Sequence, residues 1–267
     1  MQKAPDLAPQ FLGAPIAHRG YHDIAAGRPE NSRAGILAAV EAGYGIEIDV
    51  QLTADEQAVV FHDYHLGRLT EASGAVRLRP LAELRAIALR HGAETIPTLD
   101  EVLALVAGRA ALLVEIKDQD GQMGPDVGPL EARVAAHLKA YTGPVAMMSF
   151  NPNSVRAFGE MAPGIARGLV TSAYRPEDWK TLKPAVGARL AGIPDYDAVG
   201  ASFISHKAGD LDAPRVAQLK SQGADVLCWT IRSPRAEAQA RQIAQNITFE
   251  NYAAAIPSLD GAASGPT

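Results

Sequence analysis

Cysteine is nearly absent from the chain: among 267 residues only Cys228 occurs. An internal disulfide and a cysteine zinc cluster are therefore excluded. The apolar run Val226-Leu227-Cys228-Trp229 makes that thiol a packed core group rather than a nucleophile. An excess of basic residues is missing too. The formal charge is -5 and no basic run is interleaved with aromatics, so nucleic acid is not an expected partner. No stretch is long and apolar enough to span a bilayer, and residues 1–15 lack the charged and apolar regions of a secretory leader. A cytoplasmic location is the expectation, although the mature form of a processed precursor would read the same. No internal repeat is visible, and nothing specifies an oligomeric state.

What is present is an alternation. Short apolar or β-branched runs are separated by alanine-rich helical stretches, the signature of βα units around a parallel sheet. Strands are predicted near residues 15–18, 44–53, 111–117, 145–149, 166–170, 198–203, 225–231 and 246–249. Eight strands in 267 residues match the number and size of an α/β fold of the (β/α)8 TIM-barrel type. A further run at 58–62 follows the second strand too closely for an intervening helix, so it reads as the return arm of a hairpin. Residues 64–95 break the rhythm and form a small insertion after the second strand; 174–195 is a long connection, and 257–267 a small-residue tail expected to fray. The whole chain, 1–267, reads as one domain. Helix ends are legible in places. Ser32 caps a helix over 33–42 that Gly43 ends, Thr98 and Glu101 form a capping box, and Pro80 opens a helix over 81–89.

The chemistry concentrates at strand ends. In Gly45-Ile46-Glu47-Ile48-Asp49-Val50 the apolar residues share one face and Glu47 and Asp49 the other. Glu115 and Lys117 repeat this pattern in the third predicted strand. Two inward carboxylates in a low-dielectric barrel are unfavourable unless they share a cation or a proton. Three fit a hard divalent cation with oxygen ligands, Mg²⁺ or Ca²⁺. Exposed strand carboxylates, or carboxylates neutralised by Arg and Lys, are the plainer reading of a single Glu-x-Asp; a general acid/base pair is a further one. His18 ends the first strand and His62 ends the hairpin arm, each with charged neighbours. His22, His65, His91, His137 and His206 read as structural. If Asp55-Glu56 make a two-residue turn, His62 pairs directly with Asp49 across the hairpin.

Taken together, His18-Arg19-Gly20, Pro29-Glu30-Asn31-Ser32, Glu47-Ile48-Asp49-Val50, Phe61-His62-Asp63 and Glu115-Ile116-Lys117 resemble the glycerophosphodiester phosphodiesterase family. Ile96-Pro97-Thr98-Leu99, Ser149-Phe150 and Trp229-Thr230 extend the resemblance in family order. It implies a phospholipase-C-like barrel and a small-molecule glycerophosphodiester substrate, hydrolysed to glycerol 3-phosphate and an alcohol. Glu47, Asp49 and Glu115 would bind the metal, and His18 and His62 would act as general base and acid, in either assignment. Arg19 and Lys117 would contact the phosphate, Glu30 and Asn31 would support the site, and Phe150 and Trp229 would line the pocket. The resemblance suggests attack by the glycerol 2-hydroxyl through a cyclic phosphate; direct attack by water is the alternative. Departures are a short insertion, Arg232 where the family commonly has Asn, and Ile247-Thr248-Phe249-Glu250-Asn251 at the last strand in place of Gly-Ile-x-Thr-Asp. They bear on the substrate rather than the reaction. Competing expectations are a lysophospholipase-D-like hydrolase of lysophospholipids, a non-catalytic phosphate-ester binding barrel, and a metal-dependent lyase or aldolase on the same fold.

Overall fold

In the computed structural model, which describes residues 1–257, each inward–outward alternation becomes one wall of a closed sheet. The strands are β1 (Ile16–Ala17), β2 (Gly45–Leu52), β3 (Ala58–Val60), β4 (Leu112–Ile116), β5 (Val145–Ser149), β6 (Ala166–Thr171), β7 (Phe203–Lys207), β8 (Asp225–Ile231) and β9 (Asn246–Phe249). Eight of them run parallel in the order β1-β9-β8-β7-β6-β5-β4-β2, and pairing of β1 with β2 closes the barrel. The chain is a TIM barrel.

Outward residues such as Ile46, Ile48, Val114, Met147, Ile204, Val226 and Ile247 pack in one core with the surrounding helices. Ile16, Leu113, Ala146, Val170, Phe203 and Leu227 form a second core that Leu7 and Phe11 join. The N-terminal segment thereby closes one end of the barrel. Asn246 secures it, its Nδ2 donating to the carbonyls of Phe11 (2.7 Å) and Ala14 (2.8 Å). The apolar plug leaves only the other end for polar chemistry.

Helix caps follow the sequence. Ser32 Oγ accepts from Gly35 N ahead of the helix Arg33–Glu41, Gly43 takes the left-handed φ of 78°, and the capping box opens Leu99–Val106. The helix after Pro80 is shorter than expected, only Leu81–Leu84, with Pro80 as its cap. Its continuation tightens into i→i+3 turns and then Leu89 N donates to Glu94 O, tying the segment back on itself. Between 64 and 95 the chain builds a small apolar cluster, in which Leu66, Val76, Leu84 and Leu89 pack on Val59, Phe61 and Ile96.

Two strand expectations are corrected. The strand predicted over 198–203 is β7, Phe203–Lys207. Amides of Val199, Gly200 and Ala201 are consumed by turns back to Asp195, Asp197 and Tyr196, so they cannot join a ladder. Gly200 has φ 62°, and a Cβ there would lie 2.3 Å from Gln2 O. The polar run Ser205-His206-Lys207 disguised the true strand. The hairpin stands, but its register shifts by one: Val50 pairs with Val60 and Leu52 with Ala58. Thr53 N donates to Gln57 O and Glu56 carries φ 55°, so the loop has three residues with the left-handed one last. Asp49 O consequently accepts from Phe61 N (2.9 Å), and His62 stands one residue beyond the expected pair. The tail expected to fray lies, from 258 onward, outside the described residues.

Candidate active site

Glu47 and Asp49 enter the barrel from β2 and Glu115 from β4, where the parallel register sets Asp49 beside Glu115. One oxygen from each lies within 4.8 Å of the others, and all three residues are buried. Burial and the neighbouring Asp49 and Glu115 push the Glu47 carboxyl well above the usual range. Burial also opposes ionisation of Asp49, but His62, Lys117, Arg19 and His18 outweigh it and hold that carboxyl far below. Lys117, just beyond β4, donates from Nζ to Glu115 Oε1 (2.7 Å) and sits 3.4 Å from Asp49 Oδ1. Its ammonium is buried, yet those carboxylates hold its pKa above the ordinary lysine value.

The turn after β1 is built from two left-handed residues, Arg19 (φ 55°) and Gly20 (φ 80°). A Cβ on Gly20 would stand 2.9 Å from the Gly35 carbonyl carbon, so only glycine lets this turn seat on the first helix. The turn delivers Arg19 N to Glu47 Oε2 (2.9 Å) and Arg19 Nη1 to Glu30 Oε1 (2.7 Å). Asn31 grips Asp49 twice, through its carboxylate (3.0 Å) and its amide (3.2 Å). Glu30 is clamped in turn by both Nη atoms of Arg68.

His18 and His62 each present one ring nitrogen to a carboxylate. Glu250 Oε2 accepts from His18 Nδ1 (2.5 Å), and Asp63 Oδ1 faces His62 Nδ1 at 2.7 Å. His18 Nε2 is left 4.0 Å from Glu47. Burial lowers the His18 pKa, against the pull of Glu250. His18, Arg19, Glu47, Asp49, His62, Glu115 and Lys117, with Phe150, Trp229 and Arg232, enclose a hollow of about 160 Å³. A larger cavity of about 590 Å³ opens beside it. All eleven singled-out side chains thus stand at or directly behind one barrel mouth.

Sequence reasoning missed Glu250, which fixes His18 and is itself held by Arg232 Nε (2.7 Å). Closure was the available signal: a barrel of eight strands makes the last neighbour the first, and Ala17 pairs with Phe249. His22, read as structural, lies 3.6 Å from the same Glu250 carboxylate, and His65 lines the larger cavity. His206 does satisfy the structural reading, buried between Thr171 Oγ1 (2.7 Å) and Asp210 O (3.1 Å). Neither the part of Asp63 in fixing His62 nor the place of Trp179 in the larger cavity has a signal in the local sequence.

The model of the glycerophosphoryl diester phosphodiesterase family matches residues 18–248, and the chain belongs to that family. It is 36% identical over 174 residues to a glycerophosphodiester phosphodiesterase of Caldanaerobacter subterraneus subsp. tengcongensis, covering 61% of this chain and 69% of that one. A Bacillus altitudinis glycerophosphodiester phosphodiesterase is 31% identical over 184 residues, with 64% and 73% covered. Among solved structures, an Oleispira antarctica phosphodiesterase in complex with the product sn-glycerol-3-phosphate superimposes with TM-score 0.72 at 27% identity, covering 90% and 94%. No helix among the described residues is long and apolar enough to cross a membrane.

Proposed function

We propose that the protein hydrolyses glycerophosphodiesters to glycerol 3-phosphate and an alcohol, with one divalent cation, Mg²⁺ or Ca²⁺, held by Glu47, Asp49 and Glu115. The reading is carried by Glu47 Oε1, a buried carboxylate oxygen with no hydrogen-bond partner, within an all-oxygen cluster. A buried acceptor left unpaired is costly, and a hard cation is the partner that such a donor set suits. When bound, the cation supplies Lewis acidity toward the phosphate and the glycerol 2-hydroxyl.

The chain's own groups do the rest. Arg19 and Lys117 oppose the charge of the phosphodiester anion as it grows in the transition state. Glu250 and Asp63 fix the two imidazoles through Nδ1, leaving each Nε2 for proton transfer. One histidine takes the proton of the 2-hydroxyl as it attacks phosphorus; the other gives a proton to the departing alcohol oxygen. The cyclic phosphate is then opened by water with the roles exchanged. Glycerol 3-phosphate as the product agrees with the ligand of the Oleispira antarctica structure.

The test is release of glycerol 3-phosphate from the choline, ethanolamine, inositol and glycerol diesters, with Mg²⁺, Ca²⁺ or EDTA. Release that EDTA abolishes and a divalent cation restores is expected. Absence of release from every substrate with either metal overturns the reading.

A further inference from the structure

The larger cavity has a character unlike its neighbour's. It shares His62, Glu115, Lys117, Phe150 and Trp229 with the 160 Å³ hollow, so a diester bound at the carboxylates would project its alcohol there. One wall is aromatic. Phe150 packs edge-on against Trp179 (centroids 4.9 Å, 66°) and Trp229 (5.5 Å, 87°), and Trp179 rests on Tyr174 at 4.9 Å. Trp229 Nε1 donates to Ser205 O (3.1 Å), which holds the ring in place. Tyr64 also lines the cavity.

Three carboxylates line the same space: Glu115 belongs to the carboxylate cluster and accepts from Lys117 Nζ (2.7 Å), and the oxygens of Asp63 and Asp118 are already occupied. Asp63 accepts from Arg68 and faces His62; Asp118 accepts from Asn151 Nδ2 and from the amides of Asp120, Gly121 and Met123. Of the cations that line it, Arg68 is bound to Asp63 and Glu30, and Lys117 to Glu115 and Asp49. Among the described residues, every buried polar side-chain atom lining this cavity has a partner, whereas Glu47 Oε1 next door does not.

Such a wall discriminates by chemistry. A polyol leaving group would surrender water and find chiefly the Tyr64 hydroxyl and the His65 ring, at the segment's edge, in exchange for it. A primary ammonium needs acceptors for three N–H groups, and the carboxylates here are already engaged. A quaternary ammonium has no N–H to satisfy; it is drawn by negative carboxylates at a distance and by aromatic faces in contact. Resting on the phosphodiesterase reading, we infer that this cavity is the subsite for a quaternary ammonium alcohol, so that the choline diester is the preferred substrate. Trp179 and Trp229 are its selecting groups.

The test compares kcat/KM of the holoenzyme for glycerophosphocholine with that for the ethanolamine, inositol and glycerol diesters and for the 3,3-dimethylbutyl diester, the neutral isostere of choline. Glycerophosphocholine is expected to lead all four, the isostere included, by about tenfold. Trp179→Ala should shrink the ratio of choline to glycerol diester toward one, and Trp179→Phe should restore much of it. Equal rates across the panel, or an isostere as good as choline, overturns the inference; the second result would mean a merely apolar pocket. The only two tryptophans of the chain both stand in this wall, so their emission reports on the subsite without turnover. Saturable quenching by choline but not by 3,3-dimethylbutanol upholds the subsite even if no diester is hydrolysed. No response to choline overturns it even if all diesters are.

Discussion

At the closed end of the barrel, Ile16, Leu113 and Leu227 meet Phe11 and Phe203 out of contact with water. Two residues further along the same strands stand His18, Glu115 and Trp229. Phe203 fits so closely that a Cβ on Gly168 would fall 2.5 Å from its ring. At the mouth, by contrast, Glu47 carries an unpaired oxygen and a carboxyl pushed up by its neighbours. The plug is arranged for packing density, and the mouth keeps like charges together that an empty barrel would not choose. Packing and the proposed catalysis therefore fall to different layers of one sheet.

Substitutions can separate the layers. The largest effect is expected from His18→Ala and His62→Ala, each losing about 10²–10⁴-fold in kcat. The losses should combine far less than multiplicatively, while thermal unfolding stays near wild type. A double variant showing the plain product of the two would mean that the histidines work independently. Phe203→Ala should do the converse. It opens a cavity worth about 3–5 kcal/mol in urea unfolding, with kcat per folded molecule little changed. Large loss of kcat in a folded Phe203→Ala protein would dissolve the distinction between layers.

Glu47→Gln joins the two measurements in one residue. It should abolish metal-dependent turnover, yet in EDTA the variant should unfold at a higher temperature, gaining about 0.5–2 kcal/mol. Glutamine can still accept from Arg19 N while removing a carboxyl whose ionisation burial, Asp49 and Glu115 oppose. A less stable variant would show that the carboxylates are not in conflict without the cation. Smallest is Glu56→Gly at the hairpin turn, far from both layers. Glycine relieves the left-handed Glu56 but loosens the unfolded chain, so a gain of a few tenths of a kcal/mol is expected, with unchanged kinetics. A stability loss there would point to the Glu56 side chain rather than its backbone.

Much of this was legible in the sequence because alternation encodes direction. Glu47, Asp49 and Glu115 could be aimed inward from their apolar neighbours alone, and strand ends located His18 and His62. Tertiary adjacency was harder to read. Glu250 acquires meaning only when β9 closes against β1 and sets it beside His18. Trp179 lies in a loop with no periodicity and reaches the cavity through packing on Phe150 and Tyr174. The hairpin register failed for a local reason, since Glu56 takes the left-handed conformation that the simple turn rule reserves for glycine. β7 was misplaced because its polar half resembles a loop, although His206 faces outward into full hydrogen bonding.

The segment between 64 and 95 hangs from an extension of β2 that the barrel does not need for closure, and it carries its own apolar cluster. It contributes Tyr64, His65, Gly67 and Arg68 to the large cavity and no ligand to the carboxylate triad. It also reaches inward at one point: Arg68 binds Glu30 and Asp63, the partners of Arg19 and His62, so an altered segment reshapes the large cavity freely only while that arginine is kept. The segment is thus both a wall of the large cavity and, through one side chain, a brace for the mouth.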